Sequence, residues 1–173
     1  MRNASEGTTK TEHREDEALA AAVKLLAGKR LTKAALAQKL RDRGFASSAV
    51  DAAIAACEDR GFVDDRSFAQ LYVAGVLGRK AVGRMRLFQE LRRHGIDADT
   101  ARDVLDATND DEDDRVDRAL AKLEALRPQD GYGQLGRRLE RLGFAAPVIA
   151  RALRRRADSR GPFPRSADFE EHR

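Results

Sequence analysis

Six cations fall within the fifteen residues from Arg79 to Arg93: Arg79, Lys80, Arg84, Arg86, Arg92 and Arg93, with Glu90 the one acid among them. A second cluster runs from Arg137 to Arg156, where Arg137, Arg138, Arg141, Arg151, Arg154, Arg155 and Arg156 stand against Glu140 alone. Between the clusters, residues 97–117 are acidic. Charge segregated by segment suits contact with polyanions or with surfaces of matching sign. The plainer alternative is that charged helix faces keep an Ala/Leu-rich protein in solution.

No other group of residues forms a catalytic constellation. His13, His94 and His172 are scattered, and a zinc site needs several His or Cys ligands at workable spacing. Cys57 is the only cysteine, which excludes an internal disulfide; it lies on an Ala-rich segment and reads as a small core residue. Asp64 and Asp65 could form a carboxylate pair, but a helix cap plus linker is the better reading, with Asp65 the cap. Gly131, Gly133 and Gly136 follow no strand, so they signal flexibility rather than a phosphate loop. Neither an enzyme nor a cofactor or metal is expected.

The elements that carry the cations follow a repeated frame. Counted from Gly95, apolar residues stand at −8, −4, +1, +6 and +10: Leu87, Leu91, Ile96, Ala101 and Leu105. Around Gly44 the same positions hold Leu36, Leu40, Phe45, Val50 and Ile54; around Gly143 they hold Leu135, Leu139, Phe144, Ile149 and Leu153. Leucines four apart share a helix face, and a glycine just past them suits a left-handed C-cap. Each frame therefore reads helix, Gly-apolar turn, helix. A further helix precedes each, around Leu19/Val23/Leu26, Phe68/Tyr72/Val76 and Leu120/Leu123. An internal repeat with a period near 50 residues indicates tandem modules.

The expected fold is all-α, with three tandem three-helix (helix-turn-helix-like) repeats forming an elongated, curved array. The boundaries are a disordered tail over 1–15, repeats over 16–61, 62–108 and 109–157, and a disordered tail over 158–173. Modules this small sit near the limit of independent stability, so neighbours should share apolar contacts. Gly61, Phe62, Val63, Asp64 and Asp65 join the first two, with Phe62 and Val63 expected to pack across the boundary. Thr32 and Ser47 or Ser48 are expected to cap helices. The run from Asn109 to Asp114 reads as a solvated linker or helix extension. No segment has the length or apolarity of a membrane span, and no secretory signal is evident; the expected location is the cytoplasm.

A helix-turn-helix DNA reader should carry cations on its second helix. In the first repeat that helix is AVDAAIAACEDR, and in the second it bears Asp97, Asp99, Asp103 and Asp106. Sequence-specific DNA reading by all three repeats is therefore disfavoured.

Gly61-Phe62-Val63-Asp64-Asp65-Arg66-Ser67-Phe68-Ala69, then Tyr72-Val73, Gly83, Gln89-Glu90-Leu91-Arg92 and Gly95-Ile96 closely resemble the RecX family of regulators of the bacterial recombinase RecA. The resemblance covers about residues 17–156, most specifically in the middle repeat; Val82 stands where the family often has an aromatic, and the third repeat matches loosely. It implies a non-enzymatic modulator, mainly a negative one. Such a protein binds the RecA–single-stranded DNA filament and limits its extension, ATPase, strand-exchange and coprotease activities. The alternative is a non-specific nucleic-acid-binding helical repeat that acts by occupying DNA. Contact candidates toward RecA or DNA are Arg79, Lys80, Arg84, Arg86, Arg92 and Arg93, followed by Arg137, Arg138, Arg141, Arg154, Arg155 and Arg156. The partners expected are the RecA filament and the single-stranded DNA within it, with weak direct DNA binding, no membrane contact, and a monomeric chain.

Overall fold

The computed structural model describes the backbone of residues 4–160 and side chains from Arg14 to Ser159. Among these residues the chain is all-helical: α1 (Ala4–Gly28), α2 (Lys33–Arg41), α3 (Ser47–Asp59), α4 (Asp65–Leu77), α5 (Arg84–Arg93), α6 (Ala98–Asp106), α7 (Glu112–Leu126), α8 (Tyr132–Arg141) and α9 (Ala146–Arg160). Three helices fall in each expected repeat.

The frame glycines turn the chain as their spacing requires. Gly44, Gly95 and Gly143 have φ of +85°, +83° and +87°, a region where a Cβ is costly. At each turn the residue after the glycine donates back to the −4 leucine: Phe45 N–H to Leu40 O at 3.3 Å, Ile96 N–H to Leu91 O at 3.1 Å, Phe144 N–H to Leu139 O at 3.2 Å. The glycine itself bonds one residue further along, as a Schellman cap does. The apolar residues at −4 and +1 are the pair that packs across such a cap, which explains why those positions are never polar.

Contacts gather the chain into two compact units. One holds the residues up to Gly75 with Glu90–Ala107; the other holds Val76–Gln89 with the residues from Thr108. The second repeat contributes to both. In the first unit, Leu36, Leu40, Val50 and Cys57 are fully buried with Ala18 and Ala22. In the second, Val116, Leu120, Leu135, Leu139 and Ala152 form the core.

Several local expectations are corrected. The helix expected around Leu19/Val23/Leu26 begins at Ala4, so residues 4–15, read as a tail, are helical. Their Glu, Lys and Arg residues have good helix propensity without an apolar stripe, the only signal sought. Ala18 and Ala22 take the buried face of α1, and Val23 is 39 % exposed. Thr32 caps α2 as expected, accepting from Ala35 N–H, but neither Ser47 nor Ser48 caps α3; its N-cap is Ala46. α9 continues through residues 158–160, and the rest of the expected tail, with His172, lies outside the described residues.

Candidate functional site

In the second unit, the link 78–83 and the start of α5 border one side of a groove of about 630 Å³, and α7 borders the other. Leu77, Leu123, Leu126 and Leu142 give it apolar walls, and Leu126 is 66 % exposed. Its cations are Arg79, Lys80 and Arg86 with Arg118 and Lys122, and among the described residues no carboxylate lines it. Arg118 lies 3.7 Å from Asp110, outside the lining. Such a surface suits an anionic partner that also presents apolar area. Three of the sequence candidates thus meet here. Arg118 and Lys122 were missed, although their i, i+4 spacing in DRALAKL places them on one face of α7.

Glycine positions this link. Gly83 N–H donates to Leu142 O at 2.9 Å and Met85 N–H to Gly143 O at 3.1 Å. A Cβ on Gly83 would fall on the backbone of Gly143 and Phe144, so only glycine allows this approach. Arg84 N–H donates to Glu112 at 2.7 Å, which fixes the start of α5. Arg92 and Arg93 belong to the first unit; Arg92 donates to Ile96 O at 2.6 Å, closing the end of α5, and Arg93 is exposed.

The arginines of the third repeat divide. Arg155 bridges Asp113 and Asp117, each at 3.0 Å, and Arg151 joins Asp113 at 2.7 Å. Arg156 pairs with Glu124 where both are nearly buried, and Arg138 pairs with Asp130. Hydrogen bonds from Arg151, then Arg155, hold the Asp113 carboxyl below its ordinary pKa; Asp113 raises the Arg151 guanidinium in return, and Asp117, then Asp113, raises that of Arg155. Arg138, Arg155 and Arg156 are thus occupied within the protein. Arg137, Arg141 and Arg154 are exposed and make no ion pair among the described residues. The acidic run is no loose linker: Asp111 caps α7, Asp110 pairs with the buried Arg115 at 3.0 Å, and Asp113 anchors α9.

The inter-repeat motif is also reassigned in part. Gly61 turns at φ +69° and Val63 is buried, but Phe62 is 51 % exposed rather than packed. Asp64, not Asp65, caps α4, accepting from Ser67 N–H at 3.0 Å and Ser67 Oγ at 2.6 Å. These bonds lower its pKa. Asp65 instead accepts from Lys33 N–H at 2.8 Å. Burial raises its pKa despite that bond.

Cys57 is fully buried, which pushes its thiol pKa up. His94 packs its ring against Tyr72 and Phe68, with centroids 4.7 and 5.5 Å away. Among the described residues no His, Cys, Asp and Glu cluster could hold a metal, and no helix is long and apolar enough to cross a membrane.

Two family models match the chain: the first three-helix domain of RecX over residues 18–57 and the second over 64–105. The chain is 33 % identical over 138 residues to a regulatory protein RecX of Thermus thermophilus, covering 80 % of this chain and 91 % of that one. It is 34 % identical over 155 residues to that of Halorhodospira halophila, covering 83 % and 91 %. The crystal structure of RecX from Lactobacillus salivarius has the same fold, with a TM-score of 0.75 at 19 % identity over 83 % of this chain and 97 % of that one. A second solved structure, of a regulatory protein RecX, gives a TM-score of 0.77 at 18 % identity over 89 % and 78 %. The tandem Gly-turn helices, the 61–65 motif and these relatives agree, and the chain belongs to the RecX family of regulatory proteins.

Proposed function

We propose that this chain is a cytoplasmic modulator of RecA, mainly a negative one. It binds the RecA–single-stranded DNA filament and limits its extension, ATPase, strand-exchange and coprotease activities. Membership of the RecX family is the observation that carries this reading. The groove between the 78–86 link and α7 supports a mode of contact: five cations beside leucines, without a carboxylate among the described residues. That combination favours an acidic protein surface with apolar residues over bare phosphates. Passive coating of DNA is supported less well, because single-strand binders stack bases on aromatics and Phe68 and Tyr72 are engaged with His94.

The test is the ATPase rate of preformed RecA filaments on single-stranded DNA, with this protein titrated below the RecA concentration. A fall at a small fraction of the RecA concentration supports modulation of the filament. Inhibition only at DNA saturation, with a steep salt slope for binding naked strands, supports the passive alternative. No effect at any ratio removes both.

A further inference from the structure

The groove of the second unit concentrates positive charge beside apolar surface, and the acids nearest to it in sequence are committed elsewhere. Asp110, Asp113, Asp117, Glu124 and Asp130 take arginines, and Glu112 takes the N–H of Arg84. Lys80 and Lys122, on opposite walls of the groove, are exposed and make no ion pair among the described residues. Leu123 and Leu126 lie beside Lys122 on the same wall. The complement of such a groove is a short segment that carries several carboxylates around one large apolar side chain.

One stretch of this chain has that composition. After Ser159 the sequence reads RGPFPRSADFEEHR, in which Asp168, Glu170 and Glu171 surround Phe169. No other aromatic residue of the chain has three acids within two residues of it. The stretch also starts close to the groove. Ser159, at the end of α9, lines a hollow with Ala121 and Glu124 on one face of α7. Ala121 borders that hollow and Lys122 borders the groove, and consecutive residues stand about 100° apart around a helix. Ala121 and Ala125 are exposed and too small to bar the crossing. Even half the girth of a helix about 10–12 Å across is only roughly 16–19 Å. The residues from 161 to 168 span about 26 Å when extended at ~3.3 Å each.

We propose that residues 167–171 of the same chain occupy this groove, with Phe169 against Leu123 and Leu126 and the three carboxylates toward Lys80, Arg118 and Lys122. Each ion pair is exposed and weak by itself, and salt screens it. Tethering compensates, because a short linker holds its segment at an effective concentration on the order of millimolar. An outside acidic partner must therefore displace the segment before it binds. On the reading that this groove meets the RecA filament, the segment is a built-in competitor for that contact; this consequence rests on that reading, and the docking itself does not. A segment with an affinity on the order of 0.1 mM, held at ~1 mM, masks the groove about tenfold.

Fluorescence tests the docking without RecA. The chain has no tryptophan, so Phe169→Trp in the full chain is a single reporter that keeps an aromatic ring at the anchor. Its emission should be that of a shielded indole, independent of protein concentration. It should move to that of a water-exposed indole at high salt, and also when Lys80→Glu and Lys122→Glu are added, with helicity unchanged. Exposed-indole emission from the Phe169→Trp chain at low salt overturns the proposal. Shielding that survives the two lysine reversals overturns it too, by placing the segment elsewhere. Shielding that grows with protein concentration overturns it in favour of the segment of a second copy. In the RecA filament ATPase assay, Asp168→Lys with Glu170→Lys and Glu171→Lys should inhibit at a concentration about tenfold lower than the parent, the factor set by the masking. Shielded, salt-sensitive emission without that gain supports the docking and overturns its consequence for RecA.

Discussion

Asp64 and Asp65 show how neighbouring side chains of one type can do opposite things. Asp64 holds the Ser67 hydroxyl and N–H, so its pKa lies below the ordinary carboxylate value. Its contribution is full above that ordinary value and is lost as pH falls through the lowered one. Asp65 is raised by burial, so its contribution runs the other way and weakens as pH rises from the ordinary toward the raised value. Asp64→Ala should cost about 1 kcal/mol, as lost N-caps do. Asp65→Asn keeps an oxygen for Lys33 N–H and removes the buried charge. It should match or exceed the parent's stability near neutral pH and lose that advantage on acidification. Tm measured from about pH 3 to 7 for the three proteins decides this. Glycines make a parallel comparison. Gly44→Ala meets only left-handed strain, about 1–2 kcal/mol. Gly95→Ala adds a Cβ on top of that of Ala34, an overpacking that costs a further ~1–3 kcal/mol. Urea titrations should order the two; equal losses would mean the Gly95 seat yields freely.

At the level of elements, the helix pairs were legible in the sequence because their signals are local: leucines four apart, then a glycine. The Leu87/Leu91 and Leu135/Leu139 stripes are buried, as the frame requires. Partner choice between elements was not legible. Nothing in the run from Asn109 to Asp114 announces that Asp113 takes Arg151 and Arg155 from α9, thirty-eight residues and more away. Nor does the sequence set Arg118 and Lys122 beside the link 79–86; that needs the tertiary approach made by Gly83. Charge count alone therefore does not separate the paired Arg138, Arg155 and Arg156 from the exposed Arg137, Arg141 and Arg154. Arg155→Glu should cost little stability, within about 1 kcal/mol for exposed pairs, and leave filament inhibition intact. Lys80→Glu with Lys122→Glu should do the reverse, leaving Tm unchanged while weakening inhibition of the RecA filament ATPase at least tenfold. If the groove pair is silent and Arg155→Glu abolishes inhibition, the contact surface lies on α9 instead.

Across the whole molecule, the repeats and the compact units are different divisions of one chain. The frame repeats every fifty residues or so because each module is the same local structure. The packing divides elsewhere, after Gly75, Gln89 and Ala107, because each inter-repeat seat binds part of the middle repeat to a neighbour. His94 and Asp65 tie it to the first repeat through Thr32 and Lys33, while Gly83 and Arg84 tie it to the third through Leu142 and Glu112. Gly83→Ala separates these two attachments. Gly83 needs no left-handed backbone, so the added methyl acts only by colliding with the carbonyl carbon and oxygen of Gly143 and the nitrogen of Phe144. Backbone atoms in a hydrogen-bonded turn cannot step aside as a side-chain tip can. The variant should lose amide protection in 76–89 and α7–α9 while α1–α3 keep theirs, since those cores bury separate residues. Hydrogen exchange resolved by peptide reads both regions in one sample. Equal loss throughout would show that the seats couple the chain into one cooperative body, and the two units would then be a geometric division without energetic meaning.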